Sequence, residues 1–436
     1  MTHRMRIIRA GWLGLALPLA LLGAPRSAAG QLTVTLEEAL ERALERSPTM
    51  AQQEQAVESA AWTKRQALGA FIPSLSTSSG ASLRSTQRFD QATDRIVEGS
   101  SDSYSAGLSS SITLFDGGRM FANLSGAGAD YRAAEARREN QRAQVSLQTK
   151  NLFFTALRQA DLLAVAQDRV RQAEESLDMV RTQTRVGTAT SSDSLRARLE
   201  LINARQSALQ AENGTRAARC ALGRQIGESA VVIPVRPEGL EPTPLSLSDE
   251  EILHLAEAQS PSVIAAEEAT RSAAFEVRDA KGQYLPSFRL SSGYSWANQD
   301  RSFSGGTTSW NLNLSVSLPI FNGFNREGTL ERAQFAQRLA RLQEDDARLA
   351  ARQQADGALQ DVRTAEQAIA IAEEALRVAE EDLRLIRERY RVGVATVLEL
   401  VSSQIAVVQA GATAVTARYD YVLARAQLEA VLGRGL

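Results

Sequence analysis

The side chains best placed to carry chemistry flank two glycine-centred segments, Arg185-Val186-Gly187-Thr188-Ala189-Thr190 and Arg391-Val392-Gly393-Val394-Ala395-Thr396. Asp193 and Glu399 each follow their glycine by six residues, and Tyr390 precedes the second glycine by three. A carboxylate just inside a helix stabilises the exposed amides of the first turn, by about 0.3–1 kcal/mol. That structural role and a functional one stand open together for Asp193 and Glu399. Enzyme chemistry has no comparable foothold. The only histidines are His3 and His254, each alone, and no P-loop, His-Glu-x-x-His or Gly-x-Ser-x-Gly pattern occurs. The carboxylates Glu380, Glu381 and Asp382 read as a solvated helix face. No enzyme, cofactor or metal site is expected, and the single cysteine, Cys220, reads as a small buried helix residue.

The elements that must position these residues are very long. Residues 117–186 and 323–392 contain no proline, so each reads as one helix of roughly 100 Å at ~1.5 Å per residue. In the second, Ala351, Ala355, Ala358, Val362, Ala365, Ile369, Ala372, Leu376, Ala379, Leu383, Ile386 and Tyr390 recur at alternating steps of four and three. Such spacing is a coiled-coil seam, and the same register in the first helix runs from Val145 through Thr149, Leu152 and Ala156 to Thr184. Return helices at 191–226 and 397–432 supply partner seams, read as Leu195, Leu199 and Ile202 in the first and as Leu398, Val401, Ile405, Val408, Ala412, Val415 and Tyr419 in the second. The glycine segments are then the turns of two long helical hairpins.

The chain reads as a tandem duplication. Gly393 follows Gly187 by 206 residues, and Phe321 follows Phe115 by the same interval. Upstream, Pro261 follows Pro48 and Pro286 follows Pro73 by 213, so the first copy is seven residues longer, with a longer loop expected between Leu83 and Ser103. The halves are 31–230 and 248–436, joined by a proline-rich linker at 231–247. Each copy adds two short helices and two strands, at 73–85 and 103–115 and at 286–298 and 308–321.

The strands alternate. Tyr104, Ala106, Leu108, Ile112 and Leu114 are interleaved with Ser103, Ser105, Ser109, Ser111 and Thr113, and Trp310, Leu312, Leu314, Val316, Leu318 and Ile320 with Asn311, Asn313, Ser315 and Ser317. A soluble sandwich also alternates. The aromatic placement favours a membrane barrel: Phe71, Phe115, Tyr284 and Phe321 stand at the helix-facing ends, Tyr104, Tyr294, Trp296 and Trp310 at the loop ends, forming two girdles. Four strands cannot close a barrel, since membrane barrels begin at about eight, so the barrel must be shared between chains.

Compartment follows from the first thirty residues. Arg4, Arg6 and Arg9 precede an apolar run from Gly11 to Gly23, and Ser27-Ala28-Ala29-Gly30 supplies small residues for cleavage, so 1–30 reads as a secretory signal peptide. Beyond it no apolar run approaches the ~18 residues of a transmembrane helix. With 49 basic and 51 acidic residues spread evenly, the chain has no basic block for nucleic acid.

Taken together, the duplicated halves, Leu114-Phe115-Asp116-Gly117-Gly118 and Ile320-Phe321-Asn322-Gly323 opening the long helices, and the Arg-Val-Gly-x-Ala-Thr turns resemble the TolC-type outer-membrane efflux proteins. The resemblance covers nearly all of the mature chain. It implies an α+β membrane protein in which each half contributes a β-hairpin to a shared trans-membrane β-barrel and a coiled-coil hairpin to a periplasmic α-helical barrel. It implies a homotrimer in the outer membrane of a Gram-negative-type cell, in contact with outer-membrane lipid. Such a trimer conducts cargo passively from a periplasmic adaptor (membrane fusion) protein and an inner-membrane transporter, in tripartite efflux or type I secretion. By the same likeness Val186, Gly187, Thr188, Val392, Gly393 and Val394 contact the adaptor. Asp193 and Tyr390 resemble residues that hold the periplasmic entrance closed, and Glu399 resembles an acidic ring residue at the constriction. Ala395 and Ser402 depart from the pattern, standing where a gate-linking arginine and a second acidic ring residue are found. The competing expectation is a soluble periplasmic coiled-coil adaptor or scaffold whose β-hairpins form a small sandwich.

Overall fold

The computed structural model describes residues 32–92, 94–237, 241–243, 245, 247–299 and 305–435. The expected signal peptide at 1–30 lies outside the described residues.

One series of elements occurs twice. It opens with a capped short helix, α1 (Leu36–Arg46), and a second helix with proline at its first turn, α2 (Pro48–Gly69). Strands β2 (Ser74–Asp90) and β3 (Arg95–Asp116) lead to the long helix α3 (Arg119–Arg185) and the return helix α4 (Ser191–Gln225). The second series is α5 (Asp249–Gln259), α6 (Pro261–Gly282), β5 (Ser287–Asn298), β6 (Thr307–Ser317), α7 (Asn325–Arg391) and α8 (Val397–Leu432). Both long helices have 67 residues. Their starts fall two residues later than expected because Gly117, Gly118, Gly323 and Phe324 take positive φ, which cannot continue a right-handed helix.

The helices form a single wall. Away from the strands the order across it is α4, α3, α8, α7; near the strands it is α2, α3, α6, α7. The predicted seam of α7 is correct, with Ala351, Ala355, Ala358, Val362, Ile369, Ala372, Leu383 and Tyr390 buried. Val145, Thr149, Ala156, Ala173, Leu177 and Val180 play that part in α3. The return helices correct the expectation in α4 and at one end of α8. Leu195, Leu199, Ile202 and Leu398 are exposed, and the buried positions in α4 are Ala197, Leu201 and Ala204; in α8 Tyr419 of the expected seam is buried and Val401 and Val415 pack against buried clusters, beside buried Val397, Leu400 and Gln404. Small residues let α4 sit close to α3, which turns its larger apolar residues outward. As an edge helix α4 also leaves Cys220 exposed, against the expected burial. Hydropathy needs a further correction: α8 does contain an 18-residue window of mean hydropathy 1.3. Its apolar character has a packing reason, since α8 lies between α3 and α7 and is covered on two sides.

The four long strands make one antiparallel sheet in the order β2-β3-β5-β6. Its rows keep chemistry on separate faces. One row joins Thr77, Leu108, Tyr294 and Trp310, and the next joins Leu75, Ser110, Ser292 and Leu312. On the opposite face Ser74, Ser111, Ser291 and Asn313 align, as do Ser76, Ser109, Gly293 and Asn311. Hydroxyls bridge the strands there, with Ser74 to Ser111 at 3.0 Å, Ser76 to Ser109 at 2.7 Å and Ser295 to Ser309 at 2.8 Å. No second sheet covers the apolar face among the described residues: Trp310 is 77% exposed and Leu75 70%.

Boundaries differ from expectation in three places. The extra length in the first hairpin is strand rather than loop, because β2 and β3 stay paired out to Asp90 and Arg95. Strand β6 stops at Ser317, two residues before Pro319, which lacks the amide needed to continue the ladder. The linker at 231–247 includes strand β4 (Val232–Pro234), parallel to an unforeseen strand β1 (Leu32–Val34). Val34 and Val232 are fully buried there, beside Phe153 and Leu222.

Candidate functional site: the two hairpin tips

Each long helix ends in the same hydrogen-bonded turn. Gly187 and Gly393 adopt φ of 85° and 77°, conformations that side chains disfavour. The Thr188 amide donates to the Gln183 carbonyl at 2.9 Å, and the Gly187 amide to Thr184 at 3.2 Å. The second turn repeats this, with Val394 donating to Arg389 at 2.9 Å and Gly393 to Tyr390 at 3.1 Å. Both are Schellman ends, in which glycine satisfies carbonyls the helix would leave open. The geometry pushes Val186, Val392 and Val394 outward, each more than half exposed, beside exposed Gly187, Thr188 and Gly393.

The return helices start with capping boxes. Asp193 accepts from the Thr190 amide at 3.0 Å and hydroxyl at 2.7 Å, while its own amide donates back to the Thr190 hydroxyl at 3.2 Å. Glu399 accepts from the Thr396 amide at 2.6 Å and hydroxyl at 3.0 Å, and its amide donates back at 3.2 Å. The Thr190 hydroxyl and then its amide hold the Asp193 carboxyl below its ordinary range. The Thr396 amide, then its hydroxyl, do the same for Glu399. The structural role left open by the sequence is thus filled. The signal for it was Thr-x-x-Asp and Thr-x-x-Glu ahead of an apolar run, which names Thr190 and Thr396 as well.

Tyr390 has different surroundings. It is 4% exposed, packed in the apolar cluster that includes Leu177, Val180, Ala197, Leu383 and Leu400. Its hydroxyl is buried without a hydrogen-bond partner among the described residues. Burial, and then the charge of Asp193, push the phenol above its ordinary range. Asp193, Arg196, Gln183 and Tyr390 line one cleft of ≈ 500 Å³ between the two tips, together with Ala395 and Val397. The structure therefore brings Asp193 and Tyr390 together without a hydrogen bond between them. Glu399 stands outside this cleft.

Sequence reasoning missed the polar contacts that tie one hairpin to the other. The Gln183 amide reaches the Tyr390 carbonyl at 3.4 Å. Farther up, the Gln404 amide donates to the Ser176 hydroxyl at 2.6 Å and the Gln172 carbonyl at 3.5 Å, with Gln404 and Ser176 both buried. Within the second hairpin, Asp382, expected on a solvated face, accepts from Ser403 at 2.6 Å. At mid-height Asp161 accepts from the Tyr419 hydroxyl at 2.8 Å and pairs with Arg236, so the segment after β4 is pinned to α3 and α8. Glutamine at a seam position is the clue that could have marked the Gln404 contact.

Of the expected girdle residues, the helix-facing set lies at the base of the sheet, and the loop-end set lies level with the upper part of β5 and β6, where Tyr104 stands midway along β3. Phe115 lies against Phe288 with ring centres 6.0 Å apart, Phe71 against Phe121 at 5.1 Å and Phe321 against Phe324 at 5.5 Å. Tyr284 carries the Arg326 guanidinium over its ring at 4.6 Å, and Arg326 also holds the Pro319 and Ile320 carbonyls at 2.6 and 3.1 Å. At the other end Tyr294 stands directly across from Trp310, Trp296 across from Ala106, and Tyr104 across from Asn298. The Trp296 indole donates to the Gly305 carbonyl at 3.1 Å.

Comparison with known proteins agrees with this architecture. Residues 39–228 and 252–434 each match the family model described as outer membrane efflux protein. Protein CyaE of Bordetella pertussis is 30% identical over 413 residues, covering 91% of this chain and 81% of the relative. The cation efflux system protein CusC of Escherichia coli O157:H7 is 26% identical over 275 residues, 61% of this chain and 56% of the relative. Among solved structures, CusC superposes with a TM-score of 0.82 at 20% identity over 92% of each chain. The open state of the Neisseria gonorrhoeae MtrE outer membrane channel gives 0.77 at 22% identity, over 92% of this chain and 89% of that one. These solved structures share the fold, and the twofold match of the family model covers most of the sequence. The chain belongs to the outer membrane efflux protein family.

Proposed function

We propose that three copies of this chain close into one conduit, with a twelve-stranded barrel in the outer membrane continuing into a periplasmic tube of helices. The observation that carries the proposal is the two-faced sheet with open edges. Within the chain β2 and β6 each pair on one side only, and the face holding Leu75, Leu108, Leu312, Leu314 and Trp310 is uncovered. In lipid every strand edge must be paired, so a sheet of this kind is stable only when closed. Three copies give a barrel about 24 Å across between backbones, at ~4.8 Å strand spacing and ~40° tilt. The serine and asparagine face lines it, and the girdle aromatics Phe71, Tyr104, Phe115, Tyr284, Tyr294, Trp296, Trp310 and Phe321 set its depth.

The helical wall supports the same closure. Its edge helices carry uncovered apolar stripes at coiled-coil spacing: Leu195, Leu199, Ile202 and Leu209 on α4, and Ile371, Val378 and Leu385 on α7. Joining α4 of one copy to α7 of the next buries both stripes and repeats around a ring.

The tips are the entrance. The exposed Val186-Gly187-Thr188 and Val392-Gly393-Val394 turns receive the adaptor, which links the channel to an inner-membrane transporter. Asp193 and Tyr390 sit at the inter-hairpin cleft where opening is decided, and Glu399 supplies charge at the constriction. The second hairpin, with Ala395 and Ser402 in place of further polar links, is the more mobile. Purified protein reconstituted in a planar bilayer is expected to conduct ions as a trimer, and Glu399→Ala to weaken cation preference. A detergent-free soluble monomer would sink the channel reading. Unchanged selectivity in Glu399→Ala would remove only that residue's role.

A further inference from the structure

Because one series of elements occurs twice, a contact made inside the chain can be carried onto its bare edges. In the lower wall α3 has a return helix on each side, α4 and α8, whereas α7 has only α8 and the outer side of α4 is uncovered. From the tips upward α3 is tied to α8 by Ser176 with Gln404 at 2.6 Å, Asp161 with Tyr419 at 2.8 Å and Lys150 with Glu429 at 2.6 Å. Both helices recur at an interval of 206 residues, α3 as α7 and α8 as α4. Shifted by that interval, the same contact lays α7 of one copy against α4 of another in a single register. Ser176 and Gln404 become Asp382 and Arg198, and Asp161 and Tyr419 become Gln367 and Asn213.

The apolar residues fall into this register although they were not used to set it. Leu385 comes level with Leu195, Val378 with Ile202 and Ile371 with Leu209, all six exposed or half-exposed in the single chain. Their counterparts inside the chain for the first pair, Met179 and Val401, both pack against the apolar cluster near the tips. Cys220 continues the α4 stripe in steps of four and three and comes level with Gln360, where the inner contact has buried Ala426 and Phe154. Arg198 is exposed and has no ion-pair partner among the described residues, and Asp382 is exposed beside the Ser403 hydroxyl it accepts.

We propose that Arg198 of one copy pairs with Asp382 of the next, so that the seam between copies is held by charge at the level where the seam inside each chain is held by the neutral Gln404–Ser176 bond. The inference rests on the ring of three copies and adds to it a register and a partner for each charge. A head-to-tail contact of this kind uses two different edges of the same chain, as a closing ring requires. The pair also selects the register. A slip of one heptad toward the tips sets Arg198 against Arg389, a like charge, and the opposite slip sets it against Ala375. Arginine suits the place, since its planar fork can hold a carboxylate oxygen that a hydroxyl already shares.

The native cysteine provides the test of register. In full-length protein purified in detergent, Gln360→Cys is expected to form a disulfide with Cys220 of the next copy under mild oxidation, seen as covalent dimers and trimers on a non-reducing gel. The two residues lie on opposite edges of one chain, so the bond can form only between copies. Gln367→Cys, seven residues along the same stripe and about 10 Å away, is expected to cross-link far less. Equal or greater cross-linking at 367 in an intact trimer overturns the register. The charge pair is tested by exchange. Arg198→Asp is expected to weaken each contact by about fivefold, the upper end for an exposed ion pair, read as trimer dissociation in urea. Adding Asp382→Arg in the same chain restores the trimer, and the loss shrinks between about 0.1 M and about 1 M salt. A double variant no better than Arg198→Asp alone overturns the pair, and this exchange decides the matter should Gln360→Cys fail to assemble. No trimer from the unmodified protein strikes the ring itself, and the pair with it.

Discussion

The two helical hairpins begin from nearly the same sequence and end in opposite situations. Both turn on a left-handed glycine and restart on a threonine capping box. In the first hairpin the return helix α4 is the edge of the wall and the outbound helix α3 lies inside; in the second, the outbound helix α7 is the edge and α8 lies inside. The residues before the glycines differ accordingly. Thr184 satisfies its hydroxyl within its own hairpin, donating to Val180 at 2.9 Å, whereas Tyr390 inserts into the shared cluster with its hydroxyl unpaired. The first hairpin is complete by itself at the tip, and the second is completed by the first. Two like series of elements thus end differently, one tip closed on itself and the other packed against its neighbour.

The sharpest way to break this comparison is at the edges. Leu195→Glu with Leu199→Glu places charge on the stripe of α4 and is expected to abolish the trimer while leaving the monomer helical, by size-exclusion chromatography and circular dichroism. The same pair of charges at Ile371 and Val378 of α7 should do likewise. Next in size is the layer between the hairpins. Gln404→Ala leaves Ser176 without its partner in a buried site and is expected to cost about 1–3 kcal/mol, whereas Gln404→Leu with Ser176→Ala should be nearly neutral. Urea unfolding of the two variants separates these outcomes.

Tyr390→Phe removes a buried hydroxyl that has no partner, so the variant is expected to be as stable as the original or up to about 1 kcal/mol more stable. A loss of stability would mean that the assembled tip supplies a partner. The smallest effect concerns what the hairpins share. Thr190→Ala and Thr396→Ala each delete one cap and are expected to cost about 1 kcal/mol alike, seen as faster amide exchange in the first turn of α4 or α8. Acid should do the same to both. Asp193 and Glu399 bind protons less readily folded than unfolded, so their support is complete at neutral pH and is lost as pH falls through their depressed values. The caps should therefore hold from pH 8 to about pH 5 and fray only below the ordinary carboxylate range.

Much of the architecture was legible because it rests on period. The four-three steps of α7 fall on its buried face, and the alternation at 307–317 falls on opposite faces of one sheet. What misled was apolarity meant for another chain. Leu195, Leu199 and Ile202 have the spacing of a seam, yet α4 packs on Ala197, Leu201 and Ala204, and spacing alone does not say which stripe finds its partner within the chain. The upper part of the first β-hairpin was read as loop because Ser85, Gln87, Glu98 and Asp102 are polar where the lower strand alternates, so no face stands out. Strands β1 and β4 have three residues each, too few to show any period. At the tips the glycines and carboxylates were found, while the inter-hairpin bonds of Gln183 and Gln404 depend on a packing order that no local pattern encodes.

The small β1–β4 pair also bears on the order in which the molecule can be built. Leu32 lies at the front of the described chain and its partner Val232 stands 200 residues behind it. A chain delivered to the periplasm front end first presents β1 early, with nothing to pair against until the whole first hairpin has emerged. The contact between β3 and β5 closes at a later point in the chain, since Ser287 lies 55 residues beyond Val232. Helices, whose bonds are local, form as they appear, while these two non-local pairings come late. The first half is therefore a preformed rod awaiting two clasps, and β6, the last strand of the sheet, appears in the chain before the second helical hairpin.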